Sequence, residues 1–312
     1  MDKIIFFHMN QLGDLLFSLP ILKVAREELN SQNYSLISDG LAPLLVGSGL
    51  VDGVLDKKNS SIKFIKRKKF NKAVLFSESP SSLLRAFFSK IKERIGFQTA
   101  SLSFLLTKKV ERVGVPSLFN NRELGKALGL KNIQEDYTHI LKIPQENINN
   151  VIKWLKDNNL NSSKTVAISV GASKKRQDKC LENSKWIKVI DILSDNGFNC
   201  VLSGAKWEQK SLEDIAQKCK IKPKLFIAQG GILDTAAFLK NCGLFLGIDS
   251  GAMHLAAAVG TKCVAVFGYT DPYQVGPMPI DKHVVIKKED INLINPEDII
   301  NAVLYKRPGV EK

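Results

Sequence analysis

Apolar residues come in short runs, bounded by polar or glycine-containing turns and separated by amphipathic stretches. In the first half, Lys3–Met9 predicts a strand, Asn10–Gly13 a loop, and Asp14 to about Leu29 a helix. Strand-like runs return at Tyr34–Ser38, Val51–Leu55 and Ala73–Phe76, with helical patterns between and after them. A helix around Leu118–Leu128 closes on Gly129 as its C-cap. After a polar, Asn-rich stretch the rhythm restarts. Strands are predicted at Thr165–Val170, Asn199–Ser203, Leu225–Ala228, Leu244–Ile248 and Cys263–Phe267. Helices are predicted near Trp186–Ser194, Glu208–Cys219, Asp234–Asn241 and Ala252–Val259.

Apolar strands bounded by glycine and alternating with amphipathic helices imply parallel sheets covered on both faces. Two such units predict an α/β protein of two doubly wound, Rossmann-like domains facing across a cleft. Pro144 breaks the pattern, giving domains at 1–144 and 145–295. The tail 296–312 begins with a helix, Pro296–Lys306, expected to pack back on the first domain.

Composition narrows the class. A chain of 312 residues suits two domains of about 100–200 residues each. With 44% hydrophobic and 24% charged residues, disorder and coiled coil are poor overall readings. The five cysteines are odd in number and form no Cys-x-x-Cys pair, which favours buried free thiols over a zinc site or disulfide framework. The N-terminal apolar stretch is short, is interrupted by Gln11, Gly13 and Asp14, and shows no small-residue cleavage site. With no run long enough to span a bilayer, the expected location is the cytoplasm.

The formal net charge of +14 is concentrated: Lys57 to Arg112 holds fifteen Lys/Arg against three acids, Glu78, Glu93 and Glu111. A local basic field suits a polyanionic partner, namely phosphorylated lipid, anionic membrane or nucleic acid; a solvated basic face is an equal alternative. The run Lys66–Lys69 lacks interleaved aromatics beyond Phe64 and Phe70, which argues against nucleic acid.

Four constellations carry candidate chemistry. In Leu244–Ala258 a buried strand ends, the turn Asp249-Ser250-Gly251 follows, and a helix of small residues begins with Ala252, Met253 and His254. Free amides at a helix N-terminus bind phosphate, and strand carboxyl ends are where ligands sit in such sheets. A lone Asp-Ser-Gly would read better as an ordinary turn; the whole stretch favours an anion site. Second, Gly13-Asp14 after the first strand offers a sharp turn and a carboxylate able to act as general base, against simple N-capping. Third, Glu208 at a helix start could accept ribose hydroxyls, and Gly171-Ala172-Ser173 with Lys185-Trp186 could meet a diphosphate, Trp186 itself packing in the core. A surface Lys or Glu at a helix start is the plainer reading of both. Fourth, Phe267–Pro272 followed by Gly276-Pro277 reads as a rigid loop beside the phosphate turn. No Gly-x-Gly-x-x-Gly follows a strand, no phosphate loop occurs, and no Asp-x-Asp pair suggests a metal-bridged diphosphate.

At these residues the sequence resembles the family-9 glycosyltransferases, the bacterial heptosyltransferase family. The matches are Gly13-Asp14 with Pro20, Arg94-Ile95-Gly96-Phe97, Asp249–Ala257, Phe267–Pro272 and Gly276-Pro277. The family's Lys-x-Trp-Pro is read at Lys185-Trp186, here adjacent and followed by Ile187. The resemblance implies a GT-B fold, and inverting transfer without metal or cofactor, with Asp14 as base. It implies a nucleotide-diphosphate sugar, ADP-heptose being usual, held by Ser173, Lys185, Glu208 and Asp249–His254. It also implies a phosphorylated lipopolysaccharide-core acceptor at the inner leaflet, with Gly13, Lys63, Lys66, Arg67 and Arg94 as acceptor-side candidates. Another nucleotide sugar serving O-antigen, capsule or protein glycan, or a non-catalytic anion binder, are the alternatives.

Overall fold

The structure, a computed structural model, describes residues 1–114, 116–172 and 176–305. It divides into two compact units, Met1–Lys142 and Ile143–Lys312.

The first unit holds β1 (Asp2–Phe7), α1 (Leu12–Glu28), β2 (Ser31–Ile37), β3 (Gly53–Asp56), α2 (Ile62–Arg67), β4 (Lys72–Leu75), α3 (Pro80–Phe88), β5 (Glu93–Phe97), β6 (Lys108–Val110) and α4 (Ser117–Leu128). Its strands form one parallel sheet in the order β3-β2-β1-β4-β5-β6. The chain therefore winds outward from β1 through β2 and β3, then reverses to β4 on the other side. That reversal leaves a crevice beyond the carboxyl ends of β1 and β4, the place where open α/β sheets bind ligands. The core pairs Ile5 and Phe7 of β1 with Leu36, Ala73 and Leu75, and with Leu83 and Ala86 of α3. Helix α4 ends as expected on Gly129, whose φ of 104° lies where a side chain would clash.

The second unit holds α5 (Gln145–Asp157), β7 (Thr165–Ser169), α6 (Asn183–Asp195), β8 (Asn199–Gly204), α7 (Gln209–Lys218), β9 (Lys224–Ile227), α8 (Ile232–Lys240), β10 (Leu244–Ile248), α9 (Gly251–Ala258), β11 (Cys263–Phe267), α10 (Pro272–Val275), β12 (Val284–Lys287) and α11 (Pro296–Tyr305). The order β12-β11-β10-β7-β8-β9 is again all parallel, with the reversal between β7 and β10. Every residue of β7, β10 and β11 is buried, as continuous apolar runs in a doubly covered sheet require.

The terminal helix, expected to pack back on the first domain, contributes its apolar stripe to the second unit's core. Within the described residues, Ile299, Ile300, Ala302 and Val303 of α11 join Trp186, Ile190 and Val264 in the second unit's own core. The apolar stripe of α11 has its complement on α6 and the flanking strands, so burial there satisfies it. The Asn-rich stretch read as a break after Pro144 is a helix, α5, which buries Val151 and Leu155 on one side and leaves the rest wet. Four of the five cysteines are buried and all are free thiols.

Candidate functional site

In the first unit, Gln11 is the N-cap of α1, so Gly13 and Asp14 lie inside its first turn. Gly13 therefore forms no sharp turn before the helix, contrary to the loop expected over Asn10–Gly13. The helix start instead aims Asp14 at a small cavity of about 30 Å³ lined by Met9, Phe76, Phe97, Arg112, Ser117, Asn120 and Asn121. This is room for about one water. Asp14 Oδ2 is buried and accepts no hydrogen bond. Burial raises its carboxyl from 3.8 to about 6, and the Arg112 guanidinium pulls the other way. Arg112 cannot fully offset the burial because it is shared. Its Nη2 lies 2.8 Å from Glu78 Oε2, and its guanidinium lies 4.5 Å above the Phe97 ring. The result is a carboxyl shifted toward neutrality with one oxygen, Oδ2, unsatisfied among the described residues.

A larger cavity of about 520 Å³ opens beside Asn10 and Gln11, lined by Lys57, Lys58, Arg85 and the serines Ser77, Ser79, Ser81 and Ser82. It lies on the loops after β1, β3 and β4, at the crevice defined by the strand reversal. Ser79 caps α3 and Pro80 opens it, an arrangement that leaves first-turn amides turned to the loop. Lys57 Nζ donates to Asn10 Oδ1 at 2.8 Å and to the His8 carbonyl. Burial, and secondarily Arg85, lower its ammonium to about 8. Two cations crowded at a polar wall favour an anionic guest, which would relieve that repulsion. His8 itself is a core histidine. It is held by Ser35 and Ser18 and lowered to about 3 by burial, with Lys57 adding to the effect.

The acceptor-side lysines expected from sequence lie elsewhere. Lys63, Lys66 and Arg67 project from α2, which buries only Ile65, and none lines either cavity. Arg94, at the amino end of β5, donates through Nε to the Leu105 carbonyl at 2.7 Å and through Nη1 to the carbonyls of Ile91 and Lys92. It stitches backbone at the edge of the sheet away from the strand carboxyl ends. Within the basic segment, Lys57, Lys58 and Arg85 line the larger cavity and Arg112 the smaller one; the serine-rich run Ser77–Ser82 after a buried strand is the local signal that marks the larger.

In the second unit, α9 begins at Gly251 directly after β10, with Ser250 as N-cap. Ser250 Oγ makes no capping bond and is buried without a partner. The first-turn amides of Gly251, Ala252 and Met253 have no intrahelical acceptor, so the anion site read from sequence has the right backbone. Asp249 accepts from Thr270 Oγ1 at 2.9 Å and pairs with Lys179 Nζ, both side chains being largely buried. His254 is buried and lowered to about 4, chiefly by burial and partly by Lys179, with Asp249 opposing. At neutral pH it is an uncharged imidazole, able to offer an anion a hydrogen bond but no charge.

Lys185 is also corrected. Its ammonium donates to the carbonyls of Asn292 (2.5 Å) and Ile294 (3.0 Å), tying α6 to the segment before α11. The ammonium that meets the Asp249 turn is Lys179, from the β7–α6 loop. Aligned on Lys179, the Lys-x-Trp-Pro pattern runs Lys179-Cys180-Leu181-Glu182, with a buried Leu181 at the aromatic position and Glu182 as the N-cap of α6. Trp186 packs in the core as expected. Ser173 lies outside the described residues.

Glu208 stands at the carboxyl ends of β7 and β8. Its Oε2 accepts the Ala205 amide at 2.8 Å, and its other oxygen lies where any side chain at Gly171 would go. Burial raises its carboxyl above the usual range, the Ala205 amide opposing. Next to it, Gln209 lines a cavity of about 360 Å³ with Trp154, Phe226, Ile227 and Asp234, within the size range of small-molecule sites. Lys179, Asp249, Glu208 and the start of α9 thus share the carboxyl end of one sheet.

Comparison with known proteins identifies the family and the fold. The model of glycosyltransferase family 9 (heptosyltransferase) matches residues 60–294. A relative, lipopolysaccharide heptosyltransferase 3 of Escherichia coli K12, is 31% identical over 142 residues, covering 40% of this chain and 41% of that protein. The chain thus spans less than half the length of the curated relatives it first matches. Among solved structures, a family 9 glycosyl transferase from Veillonella parvula superposes with a TM-score of 0.86 at 18% identity, over 97% of this chain and 96% of that one. The ADP-heptose LPS heptosyltransferase II of E. coli gives 0.80 at 17% identity, over 96% and 97%. These likenesses show the GT-B fold, and with a family match over most of its length the chain belongs to glycosyltransferase family 9, the heptosyltransferase family.

Proposed function

We propose that this protein transfers heptose from ADP-heptose to a hydroxyl of a phosphorylated lipopolysaccharide-core acceptor, with inversion at the anomeric carbon. The observation that carries the reading is Asp14: a largely buried carboxyl, its Oδ2 without a hydrogen-bond partner among the described residues, raised to about 6, beside a cationic, serine-lined cavity of about 520 Å³ in the same unit. Asp14 removes the acceptor proton and the freed oxygen attacks the anomeric carbon. The departing diphosphate is met by Lys179 and the first-turn amides of α9, a preorganised positive pole that needs no metal and no further cofactor. Glu208 holds the ribose. The names of its relatives, lipopolysaccharide heptosyltransferases and an ADP-heptose enzyme, support the choice of donor and acceptor.

The test is a panel of nucleotide sugars assayed for nucleotide release with a delipidated core oligosaccharide. ADP-heptose should be turned over fastest, and Asp14→Ala should abolish turnover while donor binding persists. Preference for another nucleotide sugar would reassign the donor, and wild-type rates in Asp14→Ala would remove Asp14 from the mechanism.

A further inference from the structure

We propose that the face of the first unit formed by α2, the carboxyl end of α3 and the turn before β6 docks the enzyme onto an anionic lipid bilayer. Phe64, Phe87, Phe88 and Phe104 are exposed there, Phe88 at 55% and Phe104 at 71%.

These rings form one patch. Ser89, just past α3, donates to the Ile62 carbonyl at the start of α2 at 3.3 Å. The Phe87 and Phe88 rings meet edge-on with centroids 5.4 Å apart. The Arg94 guanidinium lies 5.5 Å above Phe87 and donates to the carbonyl of Leu105, next to Phe104.

A single exposed phenylalanine needs no explanation, but a contiguous set does. Its surroundings identify the partner. Lys63, Lys66, Arg67, Lys68, Lys90 and Lys92 border the rings in sequence, while the nearby acids are engaged: Glu78 by Arg112 at 2.8 Å and Glu93 by Lys72 at 3.8 Å. Lysine is depleted from protein–protein interfaces. Exposed aromatic side chains flanked in sequence by lysines that make no ion pair among the described residues match a surface of acyl chains beneath anionic headgroups, where insertion and charge attraction add. Among the described residues no helix is long and apolar enough to cross a membrane, so the attachment is to the surface.

The fold gives the patch a purpose. Helix α3 starts at the cationic cavity, where Ser81, Ser82 and Arg85 line it, and ends at Phe87 and Phe88. Its nine residues span about 13 Å at 1.5 Å each. Docking would hold the cavity within a helix length of the bilayer, where the sugars of a lipid-anchored acceptor project. This purpose rests on the acceptor reading above; the docking itself does not.

The test is cosedimentation of the full chain with phosphatidylcholine vesicles, with and without phosphatidylglycerol and with no acceptor present. Binding should require the anionic lipid and weaken with salt. Phe88→Ser with Phe104→Ser should lower partitioning at least about tenfold, while activity on a delipidated acceptor stays at the wild-type level. No binding of wild type to anionic vesicles, or equal binding of the double variant, overturns the proposal. So does a wild-type dimer that the double variant converts to monomer in sedimentation velocity, because the face would then be a self-interface. Vesicle binding without any sugar transfer would leave docking standing and remove the transferase reading instead.

Discussion

Lys179 folds back from the β7–α6 loop to pair with Asp249 at the end of β10, spanning the crevice where the second sheet reverses direction. The pair is largely buried, and Thr270 Oγ1 donates to the same Oδ2 that Lys179 engages. Asp249 is thereby spoken for: it orients an ammonium and shapes the turn before α9 and does not itself repel a diphosphate. With His254 neutral and Lys185 tied to backbone carbonyls, Lys179 and the α9 amides carry the positive character of the turn.

Lys179→Met should therefore raise the donor KM steeply, by about 10–100-fold for loss of a charge-assisted contact of 1.5–3 kcal/mol. It also strands a buried carboxylate, at a cost of about 3–5 kcal/mol in stability. Adding Asp249→Asn should recover most of the melting temperature and none of the donor affinity. Lys185→Met should instead lower the melting temperature with the donor KM nearly unchanged. Donor titrations and thermal unfolding of the four proteins separate these outcomes; a larger KM effect from Lys185 would reverse the assignment.

The two lysines also mark where sequence and structure part. The β10–α9 turn was legible because everything in it is local: a fully apolar strand, a polar turn, a helix of small residues. Lys179 gains its meaning from where the connection between β7 and α6 places it, which no local pattern encodes, whereas Lys185 stands beside a tryptophan and mimics a motif. Strand β6 has three residues and β12 is only half-buried, so neither shows a period. Helix α5 buries just two apolar side chains, so its polar, Asn-rich sequence reads as a break in the pattern. Arg112 and Arg85 were hidden in a basic segment whose net charge is visible but whose directions are set by the tertiary fold.

The pH profile of turnover should report Asp14. A base must be ionised, so kcat/KM should fall as pH drops through an apparent pKa near the value of about 6 that burial imposes. Arg112 opposes that rise. Arg112→Gln should move the acidic limb to higher pH, in addition to any loss of rate. A limb unmoved by this substitution would mean that Arg112 does not act on Asp14.

The same shift has a thermodynamic consequence of opposite sign to catalysis. The folded carboxyl at about 6 exceeds its ordinary 3.8, so the fold favours the protonated form. The stabilising contribution is complete below the ordinary value and is lost as pH rises through about 6. At pH 8 the penalty for keeping Asp14 ionised is on the order of 3 kcal/mol, at about 1.4 kcal/mol per unit. Asp14→Asn should raise the melting temperature at pH 8, with the gain shrinking toward pH 4, while abolishing transfer. Equal melting temperatures at pH 8 would show that Asp14 pays no desolvation cost.

Gly171→Ala probes the donor side without replacing a charged group. The new methyl would occupy the space of a Glu208 carboxylate oxygen at the end of β7. Since Glu208 is anchored on the Ala205 amide, it must rotate off that bond or push β7 and β8 apart. If Glu208 grips the ribose, its displacement removes binding made equally in ground and transition states. That raises the donor KM by about tenfold with kcat within about twofold. Glu208→Gln keeps the shape and the Ala205 bond and loses only charge, so its KM should rise less than that of Gly171→Ala. The reverse order would mean that the charge of Glu208, not its position between the two strand ends, is what the donor senses.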